Sequence, residues 1–153
     1  MVHEVNMDDN ITIRAAVAKD LKIVEQFLAP FVSEKCLLPR TDDELRKLLE
    51  NGFLAEAEDK PVGFSAVEIY SKKLAEIQCL AVDPQFRRRG IGKELVKRCV
   101  ERASERGVLE LMAISNSDEM FKACGFDYSL PDQKRALFAQ LNLPVEQTPP
   151  KTE

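Results

Sequence analysis

An α/β fold of the α+β kind is predicted, built on a mixed, mostly antiparallel sheet with one parallel strand pair. Two observations predict it. Phe53 to Glu56, Val62 to Tyr70 and Leu74 to Val82 are strand-like segments joined by Glu58-Asp59-Lys60 and Ser71-Lys72-Lys73, both short enough for hairpins and hence for an antiparallel meander. The last segment then leads into an amphipathic helix and a further apolar stretch, Leu109 to Ile114, an order that calls for a parallel, right-handed crossover.

The remaining elements follow in chain order. Ile11, Ile13 and Ala15 alternate with Thr12 and Arg14, which predicts a first strand. Asp20 to Ala29 reads as a helix with Leu21, Val24 and Leu28 on its apolar face and Pro30 past its end. Thr41-Asp42-Asp43-Glu44 has the form of a capping box, followed by Leu45, Leu48 and Leu49 and closed by Asn51-Gly52. After the crossover helix stopped by Gly107, Ser117 to Cys124 reads as a short helix ended by Gly125. Phe126 to Tyr128 and Arg135 to Leu141 are further strand candidates. The expected division is a flexible start over 1–10, one domain over 11–141 and an unpacked, Pro-bearing tail over 142–153.

The chemistry is concentrated in Val82-Asp83-Pro84-Gln85-Phe86-Arg87-Arg88-Arg89-Gly90-Ile91-Gly92. Pro84 ends the preceding strand because it has no N–H to continue a ladder. Downstream, Ile91, Leu95, Val96, Cys99, Val100 and Ala103 recur at helical spacing, so a helix starts near Gly90. Its first turn presents amide N–H groups without internal partners, beside two glycines that let an anion approach the backbone. Phosphate is the ligand this suits. A nucleotide-hydrolase loop is excluded because Glu94 follows Gly92-Lys93 where Ser or Thr would hold magnesium, and a dinucleotide fingerprint is excluded because Leu95 stands at its third glycine.

Composition narrows the classes further. With 153 residues the chain can bury a core without disulfides or metal. Four scattered cysteines without a C-x-x-C pair and a single histidine, His3, argue against structural zinc and a histidine-based triad, so no metal is expected. Cys99 and Cys124 read as small buried residues. A formal charge of −4, few aromatics and no tryptophan speak against nucleic-acid binding. The start lacks the features of a secretory signal and no apolar run is long enough to span a bilayer, so a soluble, cytoplasmic protein without a membrane partner is expected.

Val82, Pro84, Arg87, Gly90, Gly92 and Leu95 together form Val-x-Pro-x-x-Arg-x-x-Gly-x-Gly-x-x-Leu, which resembles the acetyl-coenzyme A signature of the GNAT acetyltransferases. The resemblance implies a GNAT-like sheet with helices on both faces, splayed at its parallel pair to admit acetyl-CoA. It further implies that Cys79, Leu80, Ala81 and Val82 run beside the pantetheine arm and that the backbone from Arg87 through Arg88, Arg89, Gly90, Ile91 and Gly92 to Lys93 holds the pyrophosphate. Arg88 or Arg89 is placed by charge to meet an outer phosphate. Leu37-Leu38-Pro39-Arg40-Thr41, the strand Ala75 to Val82, Phe121 with Gly125-Phe126, and Leu130-Pro131-Asp132-Gln133-Lys134-Arg135 extend the likeness to the acetyltransferase domain of N-acetylglutamate synthases.

On that resemblance Glu76 takes the position of the carboxylate that deprotonates the amine; read without it, Glu76 is a solvated strand residue paired with Lys72 or Lys73. Arg40 is expected to hold the α-carboxylate of the acceptor, and Lys134 and Arg135 its side-chain carboxylate, with Cys79 a further candidate substrate-binding residue. No residue matches the tyrosine that commonly protonates the leaving thiolate, since Phe121 stands in the aromatic slot; Ser115 is the expected substitute, with Tyr128 behind it. Departures are Pro39-Arg40, where synthases often carry two arginines, and Ala139-Gln140-Leu141-Asn142, where they carry a basic stretch. The expectation is an acetyl-CoA-dependent N-acetyltransferase acting on the α-amino group of a small amino acid, L-glutamate foremost, by direct transfer, with a place in arginine biosynthesis. The family often forms homodimers. A polyamine, another amino acid or a protein lysine is the rival acceptor, and a CoA-binding regulator without turnover is the rival outside the enzymes.

Overall fold

The computed structural model describes residues 5–8, 10–133 and 136–141. Six strands form one sheet in chain order: β1 (Val5–Asp8), β2 (Ile11–Ala15), β3 (Gly52–Ala57), β4 (Lys60–Ile69), β5 (Leu74–Val82) and β6 (Glu110–Met112). Neighbours are antiparallel except β5 and β6, which run parallel. Four α-helices complete the fold: α1 (Leu21–Ser33), α2 (Asp42–Leu49), α3 (Ile91–Glu105) and α4 (Asp118–Ala123).

Helices lie on both faces of the sheet, each over its own apolar cluster. On one face Ile91, Leu95, Val96 and Cys99 of α3 and Phe121 of α4 pack on Ile13, Ala55, Val62 and Val67. On the other, Val24, Leu28 and Phe31 of α1 and Leu45, Leu48 and Leu49 of α2 cover Leu54, Phe64, Ala66, Cys79 and Ala81. Each fully buried Leu or Ile contributes roughly 1.5–3 kcal/mol, so α3 is held firmly on β4. Close approach there depends on Gly63, where a Cβ would stand 3.0 Å from Ile91 and 3.1 Å from Leu95. The buried Cys99 thiol sits 3.5 Å from the Ser65 hydroxyl, consistent with the structural role expected of it.

The sheet splays between its parallel strands. Pairing of β5 with β6 covers only Leu74, Ala75 and Glu76 against Glu110, Leu111 and Met112, while β5 runs on to Val82. From Ile77 onward that edge of β5 has no strand partner among the described residues. β5 also carries a bulge. Phe64 pairs with Ala81 and Ala66 with Gln78, so Ser65 alone faces both Cys79 and Leu80, and Cys79 adopts φ 58°. The extra residue reverses the alternation: Ala75 and Ile77 belong to the α3 face, whereas Cys79 and Ala81 belong to the α1–α2 face.

Several boundaries differ from the sequence expectations. Within the start expected to be flexible, Val5–Asp8 forms β1, an edge strand paired antiparallel with β2. Pro30 lies inside α1, which continues to Ser33 because Phe31 is buried and its ring meets that of Phe27 at 5.4 Å; the Pro30 carbonyl still accepts from Glu34 N–H. The fifth expected strand is shortened to Glu110–Met112. Phe126 to Tyr128 is not a strand, since Phe126 turns in against Phe121 at 5.2 Å instead of joining the sheet, and residues 136–141 are likewise without a strand.

Candidate active site

The donor end is built where β5 hands over to α3. Asp83 Oδ1 accepts from Gln85 N–H at 2.9 Å and starts a single 3-10 turn over Pro84–Phe86. The chain then passes through Arg88 at φ 64° and Gly90 at φ 82°, and α3 begins at Ile91 with Gly90 as its N-cap. No side chain caps this end, which leaves the first-turn N–H groups facing outward. Gly92 is free of packing demands: a Cβ there would touch only Val82, at an ordinary 3.8 Å. An open glycine on an uncapped first turn, next to the unpaired edge of β5, fits a coenzyme A pyrophosphate with its pantetheine arm along Cys79 to Val82.

The side chains in this run divide their work. Ile91 is buried and Ala81 is buried, so each offers a ligand only its backbone; Leu80 and Val82 are partly buried against the α3 cluster. Arg87 Nε donates to the Val82 carbonyl at 3.3 Å, and the Arg89 guanidinium lies 4.9 Å over the Phe86 ring. Both brace the loop. Arg88 and Lys93 are exposed at its rim, where an outer phosphate would meet them.

The residues expected to meet the acceptor lie on the α1–α2 face. Glu68 and Glu76 are directly opposed across β4 and β5, and both are half-buried. Tyr70, at the hairpin, places its hydroxyl 2.6 Å from Glu76 Oε2 and 3.4 Å from Glu68 Oε2. Gln78 Nε2 stands 3.4 Å from the same hydroxyl, and Arg40 reaches Gln78 Oε1 with one nitrogen and Cys79 Sγ, at 3.2 Å, with another. Glu76 therefore pairs with a phenol, and the alternative pairing with Lys72 or Lys73 is not formed among the described contacts. Tyr70 is 51% exposed, and partial desolvation of its hydroxyl, then the Glu76 hydrogen bond, push the phenol above its ordinary range. Burial also pushes the Cys79 thiol up against the opposing pull of Arg40, which keeps it protonated and a poor nucleophile.

Arg40 also faces a cleft of about 520 Å³ between α2 and the end of β4, lined by Glu44, Lys47, Glu50 and Glu68 among others. α2 is set beside it by its cap, in which Thr41 Oγ1 accepts from Glu44 N–H at 3.2 Å. Ser115 is exposed and its hydroxyl accepts from Ser117 N–H at 2.9 Å, in the turn before α4. The Tyr128 hydroxyl donates to Asp118, and Lys122 lies 4.6 Å over its ring, so Tyr128 is engaged with α4. Lys134 and Arg135 lie outside the described residues. Tyr70, Gln78 and Glu68 were not among the expected site residues; the three-residue link Ser71-Lys72-Lys73 is the signal that pairs Glu68 with Glu76 and brings Tyr70 beside them.

Among the described residues no group of three or more His, Cys, Asp or Glu side chains is arranged to hold a metal ion, and no helix is long and apolar enough to cross a membrane. A family model described as the acetyltransferase (GNAT) family matches residues 21–126. An uncharacterized N-acetyltransferase of Chlorobaculum tepidum is 30% identical over 114 residues, covering 74% of each chain. An amino-acid acetyltransferase of Pasteurella multocida is 25% identical over 86% of this chain, which spans only 31% of that relative's length. Among solved structures, a Mycobacterium tuberculosis protein in complex with CoA and NLQ superposes with a TM-score of 0.66 at 27% identity, over 74% of this chain and 69% of the other. N-acetylglutamate synthase from Neisseria gonorrhoeae, complexed with coenzyme A and N-acetyl-glutamate, gives 0.65 at 25% identity over 74% of this chain and 27% of the other. The chain belongs to the acetyltransferase (GNAT) family.

Proposed function

We propose that this acetyl-CoA-dependent acetyltransferase passes its acetyl group to the α-amino group of a small amino acid, L-glutamate above others, as a cytoplasmic enzyme. The observation that carries the reading is the meeting of Arg40 with Cys79 and Gln78 on the face that also holds Glu76. A guanidinium fork and a carboxylate on one surface suit an acceptor bearing both a carboxylate and an amine. The likeness to amino-acid acetyltransferases and to a synthase bound to N-acetyl-glutamate supports the same acceptor.

In this reading Arg40 exchanges its contacts for the acceptor carboxylate, and Glu76 takes a proton from the ammonium, directly or through water. Acetyl-CoA bound on the α3 loop supplies a thioester carbonyl to the neutral amine. An amino acid's ammonium holds its proton well above neutral pH, so the base and the partly dry site together offset several kcal/mol. The transfer is direct, without a covalent enzyme intermediate. Ser115 remains the proposed proton donor to the leaving thiolate, and Lys134 and Arg135 the proposed hold on a side-chain carboxylate.

Glu44, Glu50 and Glu68 around the cleft favour a second reading, in which the acceptor is a cationic amine such as a polyamine. Thiol release from acetyl-CoA, measured with purified protein against L-glutamate, L-aspartate, L-glutamine, spermidine and a lysine peptide, separates the two. The highest kcat/KM is expected for L-glutamate. A preference for spermidine or the peptide contradicts the glutamate reading, and tight CoA binding without turnover on any amine contradicts both in favour of a regulator.

A further inference from the structure

We propose that Gln78 and Tyr70 are positioning residues that couple the acceptor anchor Arg40 to Glu76 through a one-way chain of hydrogen-bond donors. The inference rests on the reading of Glu76 as base and Arg40 as anchor. The direction of the chain follows from chemistry alone. Arginine has only donors, so its contact with Gln78 must be to the amide oxygen, which turns the amide nitrogen toward Tyr70. The Tyr70 oxygen then accepts, and its single proton is left for Glu76, at 2.6 Å. Glu68, at 3.4 Å from the same oxygen, receives no comparable bond.

Each donation polarises the next, so a cation at one end strengthens the bond to the carboxylate at the other. A hydrogen bond to the charged form of a carboxylate weakens it as a base. Without acceptor, Arg40 tightens the chain and holds the Tyr70 proton on Glu76. An acceptor carboxylate on Arg40 draws the guanidinium away from Gln78, loosens the Tyr70 bond and strengthens Glu76 as a base at the moment an ammonium lies beside it. Glu68 on β4 and Glu44 on α2 face the chain and favour a cation at Arg40, and Lys47 and Glu50 line the same cleft. The raised ionisation of the Tyr70 phenol agrees with a proton held toward Glu76.

Two measurements test this. In steady-state kinetics with acetyl-CoA and L-glutamate, Tyr70→Phe removes the donor, so the acidic limb of the kcat profile moves about one unit toward higher pH. Gln78→Leu moves it less, in the same direction, and KM for acetyl-CoA is unchanged in both. The second readout needs no substrate: the chain has two tyrosines and no tryptophan, so Tyr128→Phe leaves Tyr70 as the sole phenol for titration by ultraviolet absorbance. Tyr70 should ionise above the ordinary value of about 10 and fall toward it when Glu76→Gln is added. Superposable profiles for Tyr70→Phe and wild type, or a phenol titration indifferent to Glu76→Gln, overturn the coupling. The base reading is checked separately: if Glu76→Gln retains wild-type turnover both fall, whereas an inactive Glu76→Gln with an unmoved Tyr70→Phe profile removes the coupling alone.

Discussion

Arg40 Nε lies 3.2 Å from Cys79 Sγ, across a separation of 39 residues, and its other arm bonds the neighbouring Gln78. Consecutive residues of a regular strand point to opposite faces, so one side chain reaches both only because the bulge at Cys79 turns them to the same side. The bulge thus builds the proposed acceptor anchor. Arg40→Met should raise KM for L-glutamate at least tenfold, consistent with loss of a charge-assisted bond worth about 1.5–3 kcal/mol, and leave the Kd for CoA unchanged. Initial rates and calorimetric CoA binding check this, and an unaltered glutamate KM removes Arg40 from the acceptor site.

Gly92 separates stability from donor binding. A Cβ there meets only Val82 at 3.8 Å, and replacing glycine in a helix by alanine gains up to about 1 kcal/mol. Gly92→Ala should therefore melt no lower than wild type while weakening CoA binding about tenfold, because the methyl occupies the anion's approach. Thermal unfolding and CoA titration on the same preparation test it; full CoA affinity contradicts the cradle.

Gly63 behaves in the opposite way. Its Cβ would press on Ile91, Leu95 and Ala55 at 3.0–3.2 Å, inside a packed layer that gives only by shifting α3. Gly63→Ala should cost about 1–3 kcal/mol in denaturant unfolding, and CoA affinity should fall with it because the start of α3 moves. Unchanged stability would mean that α3 is not seated as tightly on β4 as the structure has it.

Acid should weaken the fold partly through Asp20. Its buried carboxylate accepts from Arg14 at 2.8 and 2.9 Å and from Val17 N–H at 2.8 Å, tying the start of α1 to β2. The Arg14 bonds, against the cost of burial, hold Asp20 below the usual carboxylate range. A depressed folded-state value contributes stability that is present above the unfolded value of about 4 and is lost as pH falls through the folded one. Asp20→Asn should thus be about 3 kcal/mol less stable than wild type at pH 7, and the gap should narrow below pH 4. Denaturant melts at pH 7 and pH 3.5 measure it, and a gap independent of pH contradicts the assignment.

The meander, the strand–helix–strand crossover and the donor loop were legible because each has a local signature: hairpin-length links, helical periodicity, and Pro84, Gly90 and Gly92 at fixed spacing. β1 was not, since the alternation of Val5-Asn6-Met7-Asp8 is too short to tell a strand from a chain end. Pro30 misled because a proline within a helix is tolerated where its neighbours, here Phe27 and Phe31, are well packed. The bulge left no mark, as Cys79 takes a left-handed φ without being glycine. Arg40 and Glu76 were named from resemblance; that they share a face with Tyr70 and Gln78 depends on strand register, which a single sequence states only indirectly.

A single-turnover reaction with acetyl-CoA labelled in its acetyl group and L-glutamate, quenched and read by mass spectrometry, tests the central claim most directly. Labelled N-acetylglutamate should appear at the rate of thiol release while the mass of the protein stays unchanged, and Glu76→Gln should slow its appearance at least a hundredfold. Acetylated protein forming ahead of the product, or thiol release without N-acetylglutamate, would contradict it.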